Sequence, residues 1–128
     1  MKYSSDVASK LVDIRNENLI WIIYIGIIFL SYYSNGLEKR YFIFNDLYCK
    51  EKYRKIIIII FSILVIIYLY FFKCSIDDIY ELRPSDSSKK KKLTELSAMG
   101  SLLIVISGII FLYIAYSDQD IDVELAFN

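Results

Sequence analysis

Four carboxylates stand at alternate positions in Asp118-x-Asp120-x-Asp122-x-Glu124. A D-x-D-x-D run opens the calcium loop of an EF-hand, but that loop needs glycine at its sixth position for a sharp turn. Position 123 is Val, so an EF-hand is excluded. The same alternation puts Ile121, Val123, Leu125 and Phe127 on the opposite face of an extended strand. The segment therefore reads as an acidic tail, or as a strand able to add to a partner's sheet. Asp77, Asp78 and Glu81 bring two carboxylates to one face of a helical turn, fewer ligands than a metal site requires. Cys49 and Cys74 have neither Cys-x-x-Cys spacing nor a histidine anywhere in the chain, which leaves them ordinary interfacial thiols. No metal, cofactor or catalytic residue is expected.

Two constellations remain. Lys89, Lys90, Lys91 and Lys92 form an uninterrupted basic run. Beside a membrane each such lysine attracts anionic lipid by about 1 kcal/mol, so the four are candidate lipid contacts. Ser101, Gly108 and Ala115 recur every seven residues, preceded at the same interval by Thr94 and accompanied by Ser97, Gly100 and Ser107. Small residues at that interval make a smooth stripe along a helix, which lets a second backbone approach closely. The stripe is expected to pack either against the chain's own helices or against a membrane-protein partner.

The elements that carry these residues are apolar. The chain has 128 residues, 56% of them hydrophobic, and a mean hydropathy of +0.43. The excess falls in three uncharged blocks, Leu19 to Tyr33, Ile56 to Phe72 and Leu96 to Tyr116. Five consecutive isoleucines in the second block favour strand in water. In lipid a lone segment satisfies its own backbone only as a helix. The expected fold is an all-α integral membrane protein, a single domain of three transmembrane helices (19–33, 56–72 and 96–116) with short interfacial helical segments.

The connections divide as follows. Residues 1–18 are polar, with Tyr3, Val7, Leu11 and Ile14 on one helical face, and suit a helix lying on the membrane surface or a frayed tail. Residues 34–55 are expected to turn at Asn35-Gly36 and then form an interfacial helix through Leu37, Tyr41, Phe44 and Tyr48, running straight into the second span. In 73–95, Pro84 stops a helix at Arg83, and the stretch from Pro84 to Lys92 is expected to be a solvated loop. Residues 117–128 are the acidic tail. A cleaved signal peptide competes for the first block, since Ser34-Asn35-Gly36 offers small residues at cleavage positions. The segment before it balances three bases with three acids, a poor leader.

Lysine and arginine counts set orientation. With the N-terminus inside, nine bases lie inside and six outside, so the expected location is the cell membrane, N-terminus cytoplasmic and C-terminus outside. Fifteen bases balance fifteen acids, and no nucleic-acid partner is implied. The lack of charged groups within the three blocks weighs against proton relays, ion-coupled transport and intramembrane hydrolysis. The expected function is a small non-enzymatic interaction or accessory subunit of a membrane complex. The alternative is a homo-oligomeric, holin-like pore, which the acidic tail and the absence of a polar helix face disfavour.

Overall fold

The computed structural model describes residues 5–117. They form three helices, α1 (Ser5–Phe44), α2 (Leu47–Tyr80) and α3 (Ser88–Ser117). At ~1.5 Å per residue these run ~60, ~51 and ~45 Å, against a hydrocarbon core of ~30 Å. All three are long and apolar enough to cross a bilayer. Consecutive helices run antiparallel. Helix α2 packs against both α1 and α3, while no described Cα of α1 comes within 8 Å of one in α3.

The turns fall where local chemistry places them, and the first is not where the sequence suggests. Asn35 and Gly36 lie inside α1, and a Cβ at Gly36 would meet nothing within 4 Å. Nothing forces the chain to bend there, and helix continuity satisfies the backbone. The turn is Asn45-Asp46. Asn45 takes a left-handed conformation, φ 51°, one that asparagine adopts at helix ends. Asp46 then caps α2, its carboxylate accepting hydrogen bonds from the backbone N–H of Tyr48 and Cys49. The interfacial connection expected over 34–55 is thus the end of one long helix and the start of the next.

The same merging removes the other short segments. Residues 5–18 neither lie apart as a surface helix nor fray, but continue into the first span, since no glycine or proline interrupts them. Tyr3 lies outside the described residues. Helix α2 ends at Tyr80, three residues short of Arg83. The run Lys89–Lys92 is helical rather than part of a solvated loop, because α3 starts at Ser88. Ser87 makes that start, its hydroxyl accepting from the Lys90 backbone N–H and its carbonyl from that of Lys91.

Burial follows helical spacing. In the isoleucine run Ile56, Ile57 and Ile60 are buried, whereas Ile59 is half exposed. The core joins Leu37 of α1, Cys49, Tyr53, Ile56, Ile57, Ile60, Phe61 and Leu64 of α2, and Ala115 of α3. It therefore sits toward the Asn45-Asp46 end of the molecule rather than at mid-span. Ser34, fully buried, returns its hydroxyl hydrogen bond to the Ser31 carbonyl, the local solution for a serine inside a helix.

Candidate functional site: the α2–α3 seam and the basic start of α3

Part of the small-residue stripe of α3 faces α2. Ala98, Val105, Gly108 and Ala115 are buried and Ser101 is half-buried. Gly108 lies under the ridge of α2 so closely that a Cβ there would sit 3.1 Å from Tyr68 Cδ2 and 3.2 Å from Val65 Cγ2. One heptad earlier, the Ser101 and Ser75 hydroxyls share a hydrogen bond of 2.9 Å across the helices. Toward the other end Phe61 and Phe111 stack with ring centres 5.7 Å apart. The seam thus passes from hydroxyl pairing, through close approach, to ring stacking.

Not every small residue of α3 belongs to it. Ser97, Gly100 and Ser107 are exposed, and a Cβ at Gly100 would meet nothing within 4 Å. Thr94 bonds back to the Lys90 carbonyl. On α2 the small residue that meets the seam is Ser75; Ser62 bonds back to Ile58 instead. Ser75 lies beyond the uncharged block, so a search confined to 56–72 passes over it. Its spacing from Tyr68 and Phe61, seven residues at each step, is the signal that finds it.

The basic start of α3 is electrostatically awkward. Lysines in a first turn oppose the helix dipole. Lys90 is offset by Asp86, four residues earlier, at 3.3 Å. The Arg83 backbone N–H donates to the Asp86 carboxylate at 2.7 Å, and that bond, with Lys90, holds the Asp86 pKa below its ordinary value. Lys91 reaches the Pro84 carbonyl. Lys89, Lys90 and Lys92 are exposed, and Asp78, Ser87, Leu93, Thr94 and Ser97 join Lys89 and Lys90 around a shallow open cleft.

At the opposite end of the molecule, bases stand over aromatic rings: Lys50 Nζ 5.2 Å from the centre of Tyr41 and Lys52 Nζ 5.4 Å from that of Tyr33. Hydrogen bonding to the Tyr33 hydroxyl, with that group's charge, raises the Lys52 pKa. Cys49 is buried, and its thiol donates to Asp46 Oδ2 at 3.3 Å. Desolvation and the neighbouring carboxylate push its pKa up, which makes it slow to react. Cys49 and Cys74 are both free thiols on one helix, ~37 Å apart along it. Among the described residues no group of three or more His, Cys, Asp or Glu is placed to hold a metal. The acidic run from Asp118 to Glu124 lies outside the described residues.

Compared with protein-family models, with curated proteins and with solved structures, the chain matches none of them.

Proposed function

We propose that this is a small, non-enzymatic, multi-pass integral protein of the cell membrane that serves as an interaction or accessory subunit of a membrane complex. The observation that carries the proposal is the unequal cover of the three apolar helices. Within the apolar windows, 28% of α2 and 22% of α3 is buried by the chain itself, but only 6% of α1. Trp21, Ile22, Ile25, Ile28, Phe29 and Tyr32 leave α1 a broad unpartnered face. In lipid such a face is satisfied by acyl chains or by another helix, and the uncharged interior offers no group for transport or hydrolysis. Lys89 to Lys92 are proposed to rest on anionic headgroups at the cytoplasmic surface, with the N-terminus on the same side and the C-terminus outside.

The test is native mass measurement of the protein extracted from its own membrane in mild detergent, followed by cysteine labelling in intact cells. A stoichiometric foreign membrane protein supports the subunit role; a large homo-oligomer overturns it in favour of a pore. Because Cys49 is shielded, labelling should use Phe44→Cys and Lys92→Cys in a background without the native thiols. Modification of position 44 alone by an impermeant reagent supports the orientation, and modification of position 92 alone reverses it.

A further inference from the structure

Contacts between the helices fix how their apolar blocks line up. Asn16 of α1 meets Tyr70 of α2, and Tyr33 meets Lys52. A step forward along α1 is thus matched by a step back along α2, which sets Gly26, the middle of the first block, level with Ile60. Between α2 and α3, Ser75 meets Ser101 and Tyr68 meets Gly108. That register sets Ile106, the middle of the third block, level with Tyr70. The middle of the block on α2 itself is Leu64. From α1 through α2 to α3 the apolar middles therefore step one way, from Ile60 to Leu64 to Tyr70, ~15 Å in all at ~1.5 Å per residue. No upright placement satisfies that stagger. A level slab over the α3 block also takes in Asp13, Arg15 and Glu17 of α1 and Lys73, Asp77 and Asp78 of α2. One over the α1 block takes in Arg54 and Lys55 and leaves Leu96 to Leu102 in water. Charges at such depth are costly.

We propose that the bundle lies inclined in the membrane and fits a bilayer of short-chain phospholipid, whose hydrocarbon core is thinner than usual. Helix α2 packs on both neighbours, while no described Cα of α1 comes within 8 Å of one in α3. The stagger is therefore spread over two interaxial distances of ~8–10 Å each. A rise of ~15 Å over that width is an inclination on the order of 40°, at the upper end of what spanning helices adopt. Inclined in this way, the slab passes through all three uncharged blocks and leaves the charges named above outside. The inclination also shortens their reach. The blocks are ~22, ~25 and ~31 Å long, and at that angle they cover only about 17–24 Å of depth, against ~30 Å for an ordinary core. A span that falls short is met by thinning of the bilayer. This orientation rests on the membrane-spanning reading above and adds to it the kind of bilayer the protein takes.

Depth measurement tests the inclination. In a background without Cys49 and Cys74, nitroxide labels are placed at the exposed positions Leu19, Ile25, Ile106 and Tyr116 of the full chain in dilauroylphosphatidylcholine nanodiscs. Ile25 and Ile106 should lie near the bilayer centre, shielded from a water-soluble nickel chelate and open to oxygen. Leu19 and Tyr116 should lie at the surfaces, with severalfold higher accessibility to nickel. In an upright bundle Leu19 and Tyr116 stand level with Ile67 and Ile60, inside the core. Either of them as shielded as Ile25 overturns the inclination alone. Free access of nickel to all four positions overturns the membrane-spanning reading, and the inclination with it. The thickness is read on the parent chain, by thermal unfolding in phosphatidylcholines of increasing acyl length. The unfolding temperature should be highest in the dilauroyl lipid and fall through the dioleoyl to the dierucoyl lipid. A maximum in either of the longer lipids overturns the fit to a thin bilayer.

Discussion

Helix α2 has two neighbours and holds them differently. Toward α3 the contact is close, made by Gly108 under Tyr68 and Val65 and by the hydroxyl pair Ser75–Ser101. Toward α1 the contact is made by larger side chains, with Tyr24, Ile27 and Leu30 packed against the core and polar tethers at both ends. Asn16 donates to the Tyr70 hydroxyl at 3.3 Å at one end, and Lys52 meets Tyr33 at the other. The glycines of α1 take no part: a Cβ at Gly26 or Gly36 would meet nothing within 4 Å. A small residue in an apolar helix therefore marks close packing only where a partner backbone arrives, and residue type alone does not say where.

The largest expected effect tests that difference. Gly108→Leu must displace Tyr68 and Val65, and overpacking of this kind costs about 1–3 kcal/mol. Gly26→Leu meets open space and exchanges a poor helix former for a good one, which favours the helix by about 0.5–1 kcal/mol. Thermal unfolding of the purified protein in detergent should move in opposite directions for the two variants. Equal shifts would mean that the close approach at Gly108 contributes nothing to stability. Ile109→Leu, one residue round the helix on an exposed face, serves as the control that leaves volume unchanged.

A smaller effect separates hydrogen bonding from close approach along the same seam. Hydrogen bonds between membrane helices are worth about 0.6 kcal/mol on average by double-mutant cycle. Ser75→Ala and Ser101→Ala should each destabilise by roughly that amount, and the double variant by no more than either alone, since both remove the same bond. Additive losses in unfolding free energy would show that the two hydroxyls act separately and that their 2.9 Å separation carries no coupling.

The long uncharged blocks are legible because composition over some twenty residues decides them, whereas the turns are not, because single residues do. Asn35-Gly36 carries the stronger turn signal, yet Ser34 and Leu37 on either side of it are buried in contact with the bundle. Packing holds that stretch helical. Asn45-Asp46 carries a quieter signal, an asparagine able to take positive φ followed by a capping aspartate, and it makes the turn. Ser101, Gly108 and Ala115 can be picked out by period; that they face α2 cannot, because Ser97, Gly100 and Ser107 are as small and point outward. Ser75 is hidden when the charged boundary at Lys73 is taken as the end of the helix, though α2 continues to Tyr80.

The smallest expected effect lies at the turn itself and depends on pH. Asp46 accepts hydrogen bonds from the Cys49 thiol and from the Cys49 and Tyr48 backbone N–H groups, and with Arg40 nearby these hold its carboxyl below the ordinary aspartate value. A carboxyl whose folded pKa is depressed binds fewer protons than it does unfolded. Its contribution is therefore fully present above the unfolded value, about 3.9, and is lost as the pH falls through the lower folded value. Asp46→Asn keeps a side-chain oxygen for the cap, because asparagine caps helices as well as aspartate does, but it has no charge to lose. At neutral pH the variant should be slightly less stable than the parent, and the gap should close as the pH is lowered below the ordinary aspartate value and through the depressed folded one. Thermal unfolding of both proteins across that range measures it. A gap that stays constant would show that the cap acts through geometry alone and that its charge contributes nothing to closing the α1–α2 hairpin.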